Sequence, residues 1–534
     1  MKKGSITLAL CLVLCALLSL IGVSLVSARH AAGRVVLASA AEQGMYSLFS
    51  RFDRTLFDTF GILALDGGYN GSELKLGSLK EEAEEVAELL TGSSGSLTGP
   101  TNLMHLTMEK GEVSEYILLT DGDGALFREQ IARAVTGKKT AAAIQKVREQ
   151  IAAYTPNWRE LDEESRSIDA DGTEAEYRNL KSGIAEGEGT VYTVFSDRQI
   201  LCGTEDTENT AVLQETAAVQ EPAVFQNAAA VLCDNAGADS EEGASGGLIR
   251  NESENPVEII SALRRVGLLN LVLPNNRTLS EGTIEADRVS SRTLQQGMGI
   301  IPDSDGTAVD KVLVMEYLLD SFQDFTEAEE GISSGLHYQV EYAIGKKESD
   351  AENLKAVLNR LLIIREASNY LYLLKDPVKQ GEVQSAAITV SSLIGLPVAE
   401  PVVAEMLRLS WAYGESILDL RELLKGGKIP LMKDASSWQL SLNRIGRLQD
   451  EITEEHSAEN GLTYQWYLRL LLTVESEEDL TESLMDLMEH RIRNTAGREQ
   501  FRLDNCLVSM TILFRAKQEP FFTMEAERTY DYIE

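Results

Sequence analysis

An uncharged, mostly apolar run fills positions 6–28 (ITLALCLVLCALLSLIGVSLVSA). Its 23 residues exceed the roughly 20 that a helix needs to cross a hydrocarbon core of about 30 Å, so the run predicts one membrane-spanning helix. From Val35 the pattern changes. Ala38, Ala41, Met45, Leu48, Phe49, Phe52, Leu56 and Phe60 recur at steps of three and four, with Glu42, Arg51, Asp53, Arg54 and Asp58 mostly between them. That is the helical period of a half-buried helix. No proline interrupts it, and the simplest expectation is one helix over 6–60, about 80 Å long at 1.5 Å per residue. Its first half would lie in lipid and its second half against protein.

Beyond position 70 the pattern predicts an α+β chain, mainly helical. An acidic helical stretch at 79–90 leads into a Gly/Ser/Thr-rich connector at 91–100. A strand is expected at 112–120, a stop at the DGDG turn of 121–124, and a long helix at 125–154 ended by Pro156. A strand-like piece follows at 190–201. In the second half, helices are expected at 256–267, 309–325, 351–374, 398–424, 440–453, 463–474 and 480–493, and strands at 268–273, 337–344 and 506–514. The segment 202–255, with DSEEGASGG at 239–247, reads as an exposed acidic linker. The expected organisation is therefore a stem over 1–60 (span about 6–28), an α+β pilin-like domain over 61–201, the linker over 202–255 and a mainly helical α+β domain over 256–534.

Charge bears on location. Residues 1–34 hold four of the 49 Lys/Arg and none of the 84 Asp/Glu, so the chain beyond them carries a formal charge of −39. Anionic headgroups and nucleic acid repel such a body. The basic residues on either side of the span, Lys2 and Lys3 before it, Arg29 and Arg34 after it, favour a cytoplasmic N-terminus by a small margin. The expectation is a single-pass protein of the cell membrane, anchored by residues 6–28, with its body extracytoplasmic. Val26 and Ala28 also suit a signal-peptidase site, but the apolar run is longer than the usual 7 to 15 residues of a cleaved signal, and either route exports the body.

The segments KKGSITLALCLVL, SARHAAGRVVLASAAEQGMYSLFSRFD and FGILALDGGYN resemble the N-terminus of TadE/TadG-like pseudopilins of the Tad (Flp) pilus system, in particular a group of large Gram-positive members. The resemblance covers residues 1–70, and the stretch 336–373 is similar to the same group. It implies an envelope protein that assembles or anchors a surface filament. Processed type IV pilins carry Glu five residues after the cleaved Gly; counted from Gly4 that position is Ala9 here. This implies an anchored accessory protein rather than a polymerised subunit.

The candidate chemistry is sparse. Ser245 and Ser333 sit in G-x-S-x-G patterns, but neither has the strand–turn–helix context that presents a nucleophile. The five histidines, His30, His105, His337, His456 and His490, form no zinc-ligand spacing. Asp121, Asp123 and Gly124, and Asp303, Asp305, Gly306 and Asp310, lack the full ligand set of a calcium loop and read as turns. Cys11 and Cys15 share a face of the apolar helix. Cys202, Cys233 and Cys506 allow at most one disulfide, with Cys202–Cys233 as the guess. Trp158, Trp411, Trp438 and Trp466, with Tyr370 and Tyr372, are expected in cores. Arg365, among Leu361, Leu362, Ile363 and Ile364, is either a buried ion-pair partner or a side chain that snorkels outward. No catalytic residue, cofactor, metal, nucleic-acid partner or small-molecule substrate is inferred. The expected function is a non-enzymatic structural or assembly protein of a Tad-type pilus or related secretion system, whose partners are the membrane and other envelope proteins. The alternative is a membrane-tethered hydrolase or ligand-binding ectodomain.

Overall fold

The computed structural model describes residues 3–92, 102, 104–185, 192–194, 200–202, 255–274, 277–301, 310–328, 335–393, 395, 397–448, 458, 460–519 and 522–532, with side chains from residue 8 onward except at 183–202 and 446–447. Helix α1 (Lys3–Phe49) runs unbroken through the apolar run and the amphipathic segment. It stops eleven residues short of the expected end, because Asp53 starts a new helix, α2 (Arg54–Phe60), by accepting the Leu56 N–H at 2.9 Å. Strand β1 (Leu65–Asp66), helix α3 (Leu76–Thr91) and strand β2 (Leu106–Leu118) follow.

Helix α4 (Asp121–Lys138) opens with three left-handed residues, Gly122, Asp123 and Gly124, at φ 59°, 54° and 73°. Two glycines relieve the Cβ penalty of that conformation, so the DGDG motif ends the strand as its sequence suggests and regular helix follows from Ala125. The expected single helix over 125–154 is in fact two. Thr140 caps α5 (Ala141–Ser167) through the Ala143 N–H, and Pro156 lies inside that helix instead of ending it. Helix α6 (Ala170–Ala185) and the antiparallel pair β3 (Tyr192–Val194) and β4 (Ile200–Cys202) complete this half.

The second half holds α7 (Pro256–Arg264), α8 (Leu268–Val272), α9 (Lys311–Ser321), α10 (Gln339–Gly345), α11 (Asp350–Lys375), α12 (Pro377–Leu393), α13 (Glu400–Leu424), α14 (Tyr464–Leu472), α15 (Glu477–Arg493), β5 (Cys506–Gln518) and β6 (Phe522–Asp531). Two expected strands are helices. In 268–273 the apolar run was too short for periodicity to decide. In 337–344 every residue from Val340 to Ile344 is buried, so no polar face marks the helical period. The expected helix over 440–453 is a 3-10 turn at Leu442–Arg447, and 449–453 lies outside the described residues.

The separate domains expected at 61–201 and 256–534 share one sheet and the apolar clusters packed on it. Strand β5 is the centre of an antiparallel sheet, paired on one side with β1 at Cys506 and Leu507 and with β6 from Ser509 to Gln518, and on the other with β2 from the first half (Leu106↔Gln518 through Leu118↔Leu507). Two apolar clusters flank it. The larger gathers α2 and α4 to α15, from Leu56 to Val508. The smaller lies between the sheet and α1 and α3, and includes Leu37, Ala41, Met45, Phe49, Ala83, Met510, Phe514 and Met524. Helix α13 is the centre of the helical layer: every residue from Leu409 to Leu420 is buried. Trp411 there is fully enclosed, a burial whose loss in a Trp→Ala change costs about 3–5 kcal/mol.

Candidate functional site

The feature most suited to a function is the stem. Helix α1 from Leu8 is long and apolar enough to cross a membrane, and the window with that hydropathy is 0% buried against the rest of the protein. Leu10, Leu14, Leu17, Ile21 and Leu25 are all more than half exposed. A bare apolar surface of that length is unstable in water and stable in a bilayer. Its polar groups suit lipid too, since the helix satisfies its own backbone and Ser24 Oγ donates to the Leu20 carbonyl at 2.8 Å. Cys11 and Cys15 are exposed on this segment and free.

Above the bare segment the same helix is seated. A Cβ on Gly44 would lie 2.5 Å from the Ala83 carbonyl oxygen, so glycine is what lets the backbones of α1 and α3 meet. Phe49 stacks on Tyr530 at 4.7 Å between ring centroids. At the lower edge of the seat, the Arg29 guanidinium donates to the Met104 carbonyl at 3.0 Å, Gln518 Nε2 donates to the carbonyls of Arg29 (3.2 Å) and Met104 (3.0 Å), and His30 packs on Phe522 at 4.4 Å. The stem therefore enters the body as one unbroken helix, within a turn of the end of its apolar run.

The helical layer encloses ionic clusters. Arg365 is the buried ion-pair partner rather than a snorkelling side chain. Its guanidinium reaches Asp419 at 2.9 Å and the carbonyls of Pro430 and Leu431, both at 2.9 Å. Lys433 bridges Glu415 (2.6 Å) and Asp419 (2.7 Å), and all four side chains are fully buried. Burial works to raise the Asp419 carboxyl, but the charges of Lys433 and Arg365 outweigh it and hold the group below its ordinary value. With two cations and two carboxylates the cluster is neutral, and it fastens the segment 429–440 onto α11 and α13. A second cluster joins Arg292 to Glu489 (2.6 and 2.7 Å) and Asp504 (2.5 Å), with Arg493 on Glu489 at 2.7 Å. It ties the loop around Arg292 to α15 and to the start of β5.

Glu341 differs, being fully buried without a cation. Its Oε1 accepts from the Phe325 N–H (2.8 Å) and the Tyr464 hydroxyl (2.9 Å), while Oε2 has no hydrogen-bond partner among the described residues. Burial, reinforced by the charge of Asp324, pushes its pKa up to about 8.

Two clefts open on the surface. One of about 330 Å³ lies beside α2 and is lined by Arg51, Asp53, Tyr69, Glu82 and Arg498. The other, of about 440 Å³, is lined by Asp320, Gln323, His337, His490 and Asn494. In the latter, His490 Nδ1 lies 2.6 Å from Glu285, and Nε2 accepts the Leu336 N–H at 3.2 Å. Since a backbone N–H can only donate, Nε2 is the acceptor and Nδ1 carries the proton. Both ring nitrogens are occupied, as expected for a satisfied histidine.

The remaining sequence candidates scatter. Ser245, Ser333, His456, Asp303, Asp305 and the Cys202–Cys233 guess lie outside the described residues or side chains. Asp310 caps α9 and pairs with Arg148 at 2.5 Å. Asp121 accepts the Leu118 and Gly297 N–H groups at 2.7 and 3.0 Å, so it serves the turn. Cys506 is buried and free. Trp411 and Trp438 pack edge to face at 5.4 Å and both donate to the Leu440 carbonyl. Among the described residues no three His, Cys, Asp or Glu side chains gather to hold a metal ion. The identity of Asp419 as the carboxylate shared by Arg365 and Lys433 is not legible in the sequence, because Asp419 lies more than fifty residues from Arg365 along the chain.

No curated protein and no solved structure matches the chain. One family model does, over residues 247–518, which is just over half of the sequence. The chain thus belongs to a family of unknown function, DUF5702.

Proposed function

We propose that this protein is a membrane-anchored structural or assembly component of the cell envelope, working with a Tad-type pilus or a related secretion system. In this reading α1 crosses the cell membrane with its N-terminus in the cytoplasm, and the acidic body stands outside. The observation that carries it is the two-part stem: one uninterrupted helix, bare and apolar below and seated on an antiparallel sheet above. That is the physical plan of pilin-like proteins, and it supports the TadE/TadG-like resemblance of residues 1–70. The −39 charge beyond residue 34 favours an exposed, soluble ectodomain over one that lies on anionic lipid. The clusters of Arg365 and Arg292 are charge-compensated and closed, which suits a scaffold better than a reaction centre. A tethered hydrolase or ligand-binding ectodomain would draw on the cleft beside His490, whose two ring nitrogens are already engaged.

The test is recovery of neighbours. Affinity capture of the tagged, full-length protein from chemically crosslinked membranes should bring down components of a pilus or secretion apparatus, such as its integral-membrane platform. Recovery of none of them, with efficient capture of the protein itself, would refute the assembly role.

A further inference from the structure

The place where the stem enters the body fixes which body residues meet the membrane surface. The apolar run ends at Ala28. Arg29, His30 and Gly33 are already gripped by the body: Arg29 through the Met104 and Gln518 groups, His30 by the Phe522 ring, and Gly33 so closely that a Cβ would lie 2.8 Å from Gln518 Nε2 and 2.9 Å from Met524 Cε. From Ala28 to Gly33 the helix rises only about 8 Å. The headgroup layer on each side of the hydrocarbon core is about 5–8 Å thick. The groups that hold this stretch of α1 therefore lie within the headgroup layer.

We propose that the end of the sheet formed by Met104 and His105, before β2, and by Lys517, Gln518 and Phe522, at the paired ends of β5 and β6, is a membrane-contact foot whose partner is the phosphate-bearing headgroup layer of the bilayer. This rests on the reading of α1 as a membrane anchor, and extends the membrane contact from the stem to the folded body. The chemistry of the foot suits that partner. Arg29 and Lys517 stand at this end with Glu519, in a protein whose body is otherwise strongly acidic. His105 and Lys517 are exposed, and Phe522 and Met104 are half-buried. Cations with amphipathic or apolar neighbours are the composition that membrane interfaces favour. Because α1 runs unbroken from the apolar run into its seat, the foot also sets the tilt of the body, and the solvent-facing side of the sheet, with the exposed Glu109, Glu112, Glu525 and Glu527, stands away from lipid.

Depth-dependent quenching tests this. The full-length chain, with Cys11, Cys15, Cys202, Cys233 and Cys506 replaced by alanine or serine, would carry one new cysteine at a time: His105→Cys, Lys517→Cys or, as reference, Tyr46→Cys. Tyr46 is 60% exposed and lies about 27 Å up the helix from Ala28. Each variant is labelled with an environment-sensitive fluorophore and reconstituted into phospholipid vesicles containing a lipid with a headgroup nitroxide. The foot predicts quenching at 105 and 517 at least about twofold stronger than at 46, with a blue-shifted emission. Equal quenching at all three positions, in protein that floats with the vesicles, overturns the foot and leaves the anchor standing. Protein that does not float with the vesicles overturns the anchor and the foot together.

Discussion

Replacing Glu341 by glutamine should stabilise the protein, and increasingly so as the pH rises. The carboxyl group has an ordinary pKa of 4.5 and one of about 8 in the folded chain, because burial and the charge of Asp324 oppose its ionisation. Between those values the folded protein keeps a proton that the unfolded chain has released, so folding loses stability as the pH rises through that window. Below about pH 4.5 the burial of neutral Glu341 carries no ionisation penalty. Above about pH 8 the penalty is complete, about 5 kcal/mol at 1.36 kcal/mol per unit, and near pH 7 it is about 3 kcal/mol. Glutamine copies the protonated group: its oxygen can accept from the Phe325 N–H and Tyr464 hydroxyl as Oε1 does now, and its amide replaces the Oε2 that has no partner. Denaturant unfolding of E341Q and the parent chain, in identical detergent and buffer at pH 5 and pH 8, isolates this residue because the other titrating groups cancel. The variant should exceed the parent by several kcal/mol more at pH 8 than at pH 5. A difference that does not change with pH would show that Glu341 is not the buried neutral acid described here.

Asp419→Ala should cost about 3–5 kcal/mol and lower the thermal midpoint, because it strips Arg365 and Lys433 of their shared carboxylate inside the core. The joint change Arg365→Met with Asp419→Leu should cost less than the single one, and an equal or greater loss would argue against a desolvation-dominated cluster. Gly44→Ala should destabilise the seat of α1 by about 1–3 kcal/mol, since the new Cβ meets the Ala83 carbonyl oxygen. Gly22→Ala, with nothing within 4 Å, should leave thermal unfolding of the body unchanged, and similar losses for both would refute the packing described for α1.

What was legible in the sequence follows what each pattern depends on. Helices α11, α13 and α15 and strand β5 were readable because long apolar patterns and flanking polar residues agree. The break after Phe49 was not, since Phe52, Leu56 and Phe60 continue the helical spacing and only the capping role of Asp53 reveals the new start. Helix α10 reads as a strand in the sequence because a helix buried on all sides loses its amphipathic signature. The union of both halves in one sheet depends on pairs such as Leu106↔Gln518, more than four hundred residues apart, which no local pattern encodes. The stem, by contrast, was visible at once: its lower half needs only length and apolarity. Its seat against Ala83, Tyr530 and Gln518 needed the structure.

Protease treatment of intact, wall-stripped cells carrying the protein with a tag at its C-terminus tests the central claim directly. If α1 anchors an external body, added protease should digest the tagged body while a cytoplasmic marker survives, and the protein should stay with the membrane through alkaline extraction. A body that resists digestion until the membrane is opened, or a full-length protein recovered in the soluble cell fraction, would contradict it.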